Sequence, residues 1–471
     1  MVVKFFSWFC IALLFLASPL DVRGSENAEN SYTLRRCIEI ALNNATSVRK
    51  AENVLKLQGA DVLKNYGNFL PRFSTSVGYS PYTLSRAYAL NPSGTAITSV
   101  KTKSKSIDLT VTTSLNLFNG FSDYASLQAA LKKEDAVGYT LLRAQQAIAF
   151  DVTQTYYQVL LEQELLAIAR ENFLLAQDQQ TLTDRQFQVG LKSIIDRDQQ
   201  RADAAASGLS VIRAETRMQK SKFELMRRMQ MDPVATATFT LEPLPESFTS
   251  PLSLKPDPDA LALLAVQQRG DLKGKELETI ASKWQVTQAR STWYPHLDLA
   301  FNVSSRGTKY LNQSSDEIAY PPLSSQLENS IGYSVGLNLS WAIFDGFQTR
   351  YTVESAKINQ INLHYEYDDL KNDLLIDLYE AAGEYNSALM QIETAKISLN
   401  AASSAFNGIK RKYELGAASF IELSTARAAF FNARSNLSQA TYNLALQKST
   451  LDFATGNEAI PSQPEYPLPV K

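Results

Sequence analysis

Two pairs of segments in this chain alternate between apolar and polar side chains, with the period of two that a β-strand produces. The first pair is predicted at about 72–81 and 105–117, and the second at about 296–304 and 331–342. The polar face of each segment carries only small or hydrophilic groups. This pattern is typical of a barrel strand with lipid outside and water inside, although half-buried strands of a soluble sandwich share it.

Each strand pair leads directly into a long stretch that favours helix. Gly120 and Gly190 lie 70 positions apart, as do Gly346 and Gly416, and no proline interrupts either stretch. A helix of that length would measure about 100 Å, which exceeds what a globular domain needs. The pattern predicts a hollow helical conduit rather than a catalytic body. Helices are predicted at 33–67 with a break near Asn43–Asn44, and at 120–188, 194–230, 259–292, 346–414 and 420–455.

The second half of the chain repeats the first at a constant offset. Four pairs of identical residues are separated by 226 positions: Gly120 and Gly346, Asp151 and Asp377, Gly190 and Gly416, and Arg201 and Arg427. A duplication at a fixed period makes each half one structural unit, here 25–231 and 259–456. The proline-rich segment 232–258 is predicted to be a linker, and 457–471 an extended tail.

The N-terminus, residues 1–24, is predicted to be a secretory signal peptide. Its apolar run, Phe5–Leu16, is too short to span a bilayer as a helix. Cleavage is expected after Gly24 or, alternatively, after Ala17. The exported chain then keeps Cys37 as its single cysteine, which excludes an intrachain disulfide.

Composition and charge narrow the classes of function. The 471 residues are 45% hydrophobic and 20% charged, which argues against disorder. A formal net charge of −2 without a long basic run argues against nucleic-acid binding. Two histidines, His296 and His364, no Cys/His cluster and no phosphate-binding glycine loop leave no basis for an enzyme, metal site or cofactor. The adhesion-like tripeptide Arg269-Gly270-Asp271 is interpreted as a chance sequence at a helix break.

Recurring motifs mark the junctions between these elements. Leu-Phe-Asn-Gly-Phe (117–121) and Ile-Phe-Asp-Gly-Phe (343–347) lie where strand becomes helix. Leu-Pro (70–71) and Tyr-Pro (294–295) lie where helix becomes strand, and Phe187–Gly190 and Tyr413–Gly416 precede the two turns. In this order and spacing, over nearly all of the mature chain, the sequence resembles the TolC family of outer-membrane efflux and secretion channel proteins.

The resemblance implies a mainly α-helical fold with membrane β-structure, built from a duplicated helix-strand-strand-long helix-helix unit. Three protomers would share one twelve-stranded outer-membrane β-barrel, continuous with a periplasmic α-barrel of twelve helices. An equatorial belt would hold residues 26–33, 232–258 and 456–471. Elementary physics agrees with a homotrimer, because four strands cannot close a barrel and an open edge in lipid is very unfavourable.

The family narrows its periplasmic entrance with two aspartates after the second turn, and their positions here are Glu422 and Thr425. One carboxylate is therefore kept and the other is lost. Three copies of Glu422 would form a negative constriction that attracts cations. The alternative is an ordinary solvated glutamate near a helix start, where the helix dipole favours negative charge.

The family also locks the closed entrance with a Tyr and an Arg that reach an Asp on the other hairpin. Tyr413 and Asp196 match two of these positions, but Ala418 replaces the arginine. The lock is therefore incomplete, or Lys410 or Arg411 supplies the cation. Gly190 and Gly416 are expected at the two tip turns.

Aromatic residues are expected to cluster at the periplasmic edge of the barrel, beside the junction glycines Gly120 and Gly346. Such residues anchor a barrel at headgroup depth, although packing within the junction is the alternative. The members of this predicted aromatic girdle are Phe118, Phe121, Trp293, Tyr294, Trp341, Phe344 and Phe347.

The expected function is a passive exit duct in the Gram-negative outer membrane, for a tripartite efflux pump or a type I secretion system. Its partners would be outer-membrane lipid, a periplasmic adaptor (membrane-fusion) protein and an inner-membrane transporter that supplies the energy. A trimeric surface adhesin or structural coiled-coil protein with a β-barrel anchor is the alternative. A periplasmic adaptor would need small lipoyl-like β-domains, for which no segment is evident.

Overall fold

The computed structural model describes residues 31–90, 97–231, 240–243, 257–312 and 321–457. The predicted signal peptide and most of the predicted linker and tail lie outside these residues. The first half contains β1 (Ser31–Tyr32), α1 (Leu34–Asn44), α2 (Thr46–Gly67), β2 (Arg72–Leu90), β3 (Ile97–Asn119), α3 (Ser122–Gln188), α4 (Ile194–Met229) and β4 (Thr240–Leu241). The second contains α5 (Pro258–Gln268), α6 (Gly270–Arg290), a short 3₁₀ turn (Ser291–Trp293), β5 (His296–Tyr310), α7 (Leu323–Asn329), β6 (Gly332–Ser340), α8 (Gln348–Glu414) and α9 (Phe420–Thr455).

The predicted duplicated order of helix, strand, strand, long helix and helix is confirmed. Helices α3 and α8 have 67 residues each, and α4 and α9 have 36 residues each. In each half the long helix and its successor form an antiparallel hairpin. No helix in the described part of the chain is both long enough and apolar enough to cross a lipid bilayer.

The four long strands form one antiparallel sheet in the order β2-β3-β5-β6. Its register places apolar residues opposite one another on one face: Val77 and Leu109, Val111 and Val303, Phe301 and Val335. Polar pairs such as Asn302 and Ser334 occupy the other face. We call these the apolar face and the polar face of the sheet.

Strands β2 and β3 extend beyond the predicted 72–81 and 105–117, through part of the segment that lies between the two predicted ranges. Pro81 argued for a strand end because it cannot donate a ladder hydrogen bond. A bulge between Ser80 and Thr83 accommodates it, and pairing resumes with Thr83 opposite Ser104. Strand β5 likewise continues past 304 to Tyr310, and α7 lies in the expected loop that follows.

Helix α7 covers the part of β5 that β6 does not reach. Pairing between these strands stops at Ser304, which would leave an open edge beyond it. The Gln326 side-chain oxygen accepts from the Thr308 backbone N–H at 2.9 Å, and the Ser305 hydroxyl donates to the Leu327 carbonyl oxygen at 2.6 Å. The helix therefore satisfies polar groups that strand pairing leaves free.

The helical body holds the core of the protein. Leu225, Met229 and Val152 are fully buried in the first half, and Leu374 and Leu378 in the second. Cys37 is buried in the first cluster, where loss of solvation raises the pKa of its thiol to about 12, so it stays protonated. Two described pieces of the predicted belt lie together against this core, because β1 pairs in parallel with β4 and Leu241 belongs to the first cluster.

Two predicted helices are interrupted, one at Ala45 and one at Arg269. The second break forms a clasp between the halves. Arg269 donates to Asp271 through Nη2 at 2.6 Å and Nε at 3.1 Å, and the Arg143 Nε of α3 lies 3.6 Å from the same carboxylate. The Arg143 guanidinium also covers the Phe453 ring at 3.7 Å. The Arg269-Gly270-Asp271 tripeptide is thus engaged within the protein, with the Arg269 side chain only 7% exposed.

Replacing Asp271 with asparagine is expected to lower the free energy of unfolding by about 2 kcal/mol, because two arginines lose their partly buried counter-charge. Burial raises the pKa of Asp271, but the Arg269 hydrogen bond and the charges of Arg269 and Arg143 outweigh burial and lower it from 3.8. This contribution is therefore present above the unfolded-state pKa and disappears as the pH falls through the folded-state value.

Urea unfolding followed by circular dichroism measures the loss. The exposed Glu215, paired with Arg170, provides the control, since Glu215→Gln should change stability by about 0.5 kcal/mol or less; equal losses would contradict the clasp.

Candidate functional site at the hairpin tips

The two hairpins end in turns of the same construction. In the first, the Leu191 N–H donates to the Gln186 carbonyl at 2.8 Å while Gly190 adopts φ +79°. In the second, the Ala417 N–H donates to the Lys412 carbonyl at 2.8 Å while Gly416 adopts φ +75°. This is the Schellman ending, whose left-handed position favours glycine. Both glycines predicted for the tips lie in these turns.

A serine then starts the returning helix at each tip, with a carboxylate three residues later. The Asp196 carboxylate accepts from the Ser193 backbone N–H at 3.2 Å and from its hydroxyl at 2.9 Å. Glu422 accepts the same two bonds from Ser419, at 2.7 and 2.9 Å. Each pair is a capping box, which satisfies backbone donors that a helix start leaves free. The predicted lock residue and the predicted constriction residue therefore occupy the same position in the two repeats.

Both carboxylates are held in their charged form. The Ser193 hydroxyl and backbone N–H lower the pKa of Asp196, and the Ser419 backbone N–H and hydroxyl lower the pKa of Glu422. Only one Glu422 oxygen takes part in the cap, and the side chain is exposed. Thr425 is also exposed, one turn further along the same helix face. Capping and a negative charge at the tip are compatible roles for Glu422.

The contact that forms at Tyr413 differs from the expected one. In the described part of the chain no hydrogen bond joins Tyr413 to Asp196, and one oxygen of that carboxylate accepts from Ser193. Lys192, in the turn of the first hairpin, instead places its Nζ 5.0 Å from the centre of the Tyr413 ring. A lysine over an aromatic face is attracted by the ring quadrupole. A cation therefore does join the hairpins here, but it is Lys192 rather than Lys410 or Arg411.

A second link between the hairpins involves residues that the sequence did not identify as a pair. Arg427 of α9 forms an ion pair with Asp203 of α4, and the two side chains are 9% and 21% exposed. The matching arginine of the first repeat, Arg201, lies 3.4 Å from Asp184 within its own hairpin. The position 226 after Asp184 is Lys410, so Arg427 has no matching acid on α8. It reaches the neighbouring hairpin instead.

At the opposite end of the long helices, the junction motifs turn strand into helix. Gly120 and Phe121 adopt φ +64° and +67°, and Gly346 and Phe347 adopt +66° and +67°. A left-handed conformation is unusual for phenylalanine and indicates a constrained turn. The third motif residue caps the helix: the Asn119 side-chain oxygen accepts from the Asp123 N–H at 3.3 Å, and Asp345 accepts from the Thr349 N–H at 2.7 Å.

The predicted aromatic girdle lies at these junctions. Phe118 and Phe121 pack edge to face with ring centres 5.5 Å apart, and Phe344 and Phe347 repeat this arrangement at 5.6 Å. The Trp341 indole N–H donates to the Trp293 carbonyl at 3.2 Å. All seven rings except Phe118 are about half exposed or more in the single chain. Packing within the junction therefore leaves most of these rings exposed in the single chain.

Comparison with known proteins places these features in context. The sequence profile of the family described as "Outer membrane efflux protein" matches residues 37–229 and 261–457. The chain is 22% identical to outer membrane protein TolC of Escherichia coli strain K12, over 73% of this chain and 69% of that protein. It is 24% identical to the alkaline protease secretion protein AprF of Pseudomonas aeruginosa, over 66% and 62% of the two chains. The outer-membrane channel OprN has a similar fold, with a TM-score of 0.73 and 18% identity over 90% of both chains.

Proposed function

The chain belongs to the outer membrane efflux protein family, and on that basis we propose that it is an exit duct in the outer membrane, through which substrates pass passively from the periplasm to the outside. One observation carries the proposal. In each repeat, strands with one apolar and one polar face lead directly into a helix of 67 residues, about 100 Å long. This joins a membrane-facing sheet to a helical body long enough to cross much of the periplasm.

The duct is a homotrimer in this proposal. A four-stranded sheet leaves β2 and β6 as open edges, and three copies supply the twelve strands that close a barrel. The junction glycines support assembly. Gly120 is packed against Ser291 and Tyr294, whereas nothing in the described part of the chain lies within 4 Å of a Cβ placed at Gly346. At this junction the repeats are offset by 224, as Leu-Pro 70–71 and Tyr-Pro 294–295 show, so Ser291 and Tyr294 correspond to Gly67 and Leu70. A neighbouring copy would offer those residues to Gly346.

The surface-adhesin alternative is not favoured. Its one sequence signal, Arg269-Gly270-Asp271, is engaged in the clasp between the halves and is not presented to a receptor. The family and the relatives are channel proteins rather than enzymes. The energy for transport therefore comes from an inner-membrane transporter, coupled through a periplasmic adaptor. AprF is named for protein secretion and TolC belongs to an efflux family, so both small molecules and secreted proteins are candidate cargo.

Reconstitution into planar lipid bilayers tests this function. The duct predicts trimeric conductance that is low while the hairpin tips are together and rises when an adaptor binds. A purified mature protein that forms trimers but never conducts, with or without an adaptor, would contradict the proposal and favour a structural role.

Glu422→Gln is expected to reduce cation selectivity and to weaken block by multivalent cations, because three carboxylates leave the entrance while the side chain can still cap α9. The reversal potential in a salt gradient measures the change. Asp196→Asn is the matched control, since it removes the capping carboxylate at the same position of the first repeat, outside the proposed constriction, and selectivity is read separately from opening. Conversely, Thr425→Asp would restore a second carboxylate and increase the preference for cations. An unchanged reversal potential in Glu422→Gln would remove this residue from the constriction.

A further inference from the structure

Five cations share one face of the sheet near the hairpin that joins β2 and β3. Lys101, Lys103 and Lys105 are two positions apart on β3, so their side chains point the same way. Arg86 lies directly opposite Lys101, and Lys309 directly opposite Lys105. Because opposite residues in a ladder share a face, all five lie together. We call this set the cationic stripe.

The stripe continues the apolar face rather than the polar one. Ile107 and Leu109 follow Lys105 at the same spacing on β3, and both belong to the apolar face. On the polar face at the same level, the residues are uncharged: Thr83, Ser85, Thr102 and Ser104. The charges are thus sorted to the side of the sheet that faces away from the water-filled interior.

The charges of the stripe have no counter-charge in the described part of the chain. Like charges directly opposite each other destabilise a sheet, and the stripe contains two such pairs. Asp108 forms its ion pair with Arg306 on the other face, and Glu328 of α7 forms none with the stripe. Asp316 and Glu317 lie outside the described residues. Binding of an external anion would therefore relieve the repulsion between these opposed positive charges.

The height of the stripe identifies that anion. From Phe118 in the aromatic girdle to Ile107, strand β3 advances about 28 Å along the membrane normal, at about 3.3 Å per residue and a tilt of about 40°. This matches the apolar band of an outer-membrane barrel. Lys105 follows about 5 Å further out, at the level of the lipid headgroups, on the side away from the helices. In the outer leaflet of a Gram-negative outer membrane, the phosphate groups of lipopolysaccharide lie at this level.

We propose that the cationic stripe binds the phosphate groups of lipopolysaccharide in the outer leaflet around the barrel. Lysine and arginine donate charge-assisted hydrogen bonds to phosphate oxygens. Several cations beside an apolar surface match a ligand that has phosphates beside acyl chains. The inference rests on the proposed outer-membrane function, which sets the orientation of the sheet.

Two variants of the full mature protein test it. The first, Lys101→Gln/Lys103→Gln/Lys105→Gln, removes three charges from the stripe. The second, Lys101→Gln/Thr102→Lys/Lys103→Gln/Ser104→Lys, moves two charges to the polar face and keeps the net charge. For each variant and for the intact protein, the affinity of the detergent-solubilised trimer for fluorescent lipopolysaccharide is measured. Dephosphorylated lipopolysaccharide, inorganic phosphate and polyglutamate are then added as unlabelled competitors.

Each lysine near an anionic lipid surface strengthens binding roughly fivefold. The first variant should therefore bind about a hundredfold more weakly, and the second roughly 25-fold more weakly. Dephosphorylated lipopolysaccharide and inorganic phosphate should compete poorly against the intact protein. Unchanged affinity in the face-swapped variant would overturn the proposal, and so would polyglutamate competing as well as lipopolysaccharide, which would favour an acidic polypeptide.

Conductance in phospholipid bilayers without lipopolysaccharide separates the two proposals. If intact trimers conduct normally but bind lipopolysaccharide no better than the first variant, the inference about the cationic stripe is wrong and the proposed function stands. An intact protein that never conducts would contradict the proposed function, whatever it binds. Both variants should conduct like the intact protein, which also shows that they fold.

Discussion

Replacing Gly120 with alanine is expected to lower the free energy of unfolding by about 3 kcal/mol, one of the largest effects of any single substitution in this chain. Gly120 adopts φ +64°, which an L side chain rarely accepts. A Cβ there would also collide with the Ser291 carbonyl oxygen and lie 2.9 Å from the Tyr294 Cβ. Both neighbours belong to the turn between α6 and β5, so relief of the collision would move the strand itself.

The duplication provides a matched control at Gly346. Its φ of +66° is nearly the same, but none of the residues that the structure describes lies within 4 Å of a Cβ placed there in the single chain. Gly346→Ala should therefore lower the free energy of unfolding of the monomer by only about 1–2 kcal/mol, which is the cost of the left-handed backbone conformation for alanine. Urea unfolding of detergent-held monomers, followed by circular dichroism, measures both losses. Equal losses in the two variants would contradict the packing described for Gly120.

The same pair of variants tests assembly. In the proposed trimer a neighbouring copy fills the space beside Gly346, so Gly346→Ala should reduce the fraction of trimer more than it reduces monomer stability. Size-exclusion chromatography with light scattering measures that fraction. A Gly346→Ala protein that trimerises as well as the intact protein would place the interface elsewhere.

The architecture could be predicted from the sequence because the residues that start and end its helices act locally and occur in both repeats. Ser193 and Ser419 start helices, Gly190 and Gly416 end them, and the constant offset shows that both halves fold alike. The predicted helix at 194–230 accordingly matches Ile194–Met229. The strand ends were wrong where lysines alternate with small polar residues. Such a segment has the composition of a loop, and only the ladder with β2 identifies it as strand.

The candidate site could be predicted only in part. The capping role of Asp196 and Glu422 was readable, because a serine precedes each by three residues. The ion pair between Arg427 and Asp203 was not readable, since it joins residues 224 positions apart on two different hairpins. Which acid an arginine reaches depends on how the hairpins pack, and no local pattern encodes that packing.

Arg427→Ala is expected to raise the open probability of the entrance at rest by roughly thirtyfold. The ion pair with Asp203 joins the second hairpin to the first, and its arginine is nearly buried. Loss of a partly buried pair of this kind costs the closed arrangement about 2 kcal/mol at each hairpin, which is roughly thirtyfold in open probability when one protomer's hairpin is released at a time. The more exposed pair of Arg434 and Glu171, and Lys192 over Tyr413, remain to hold the hairpins together. Opening is then a change in how the two hairpins pack, which an adaptor would bias.

Single-channel recording in planar bilayers measures this open probability, and Arg201→Ala is the matched control. Arg201 has the same position in the first repeat but pairs with Asp184 inside its own hairpin. Loss of the Arg201 side chain should therefore weaken the first hairpin but leave the contact between the two hairpins, and so the closed entrance, intact. The exchanged variant Asp203→Arg/Arg427→Asp should restore the low resting conductance, because the attraction between hairpins returns with its charges reversed. If Arg201→Ala opened the channel as much as Arg427→Ala, general weakening of the tips would explain both results, and the cross-hairpin pair would not control the entrance.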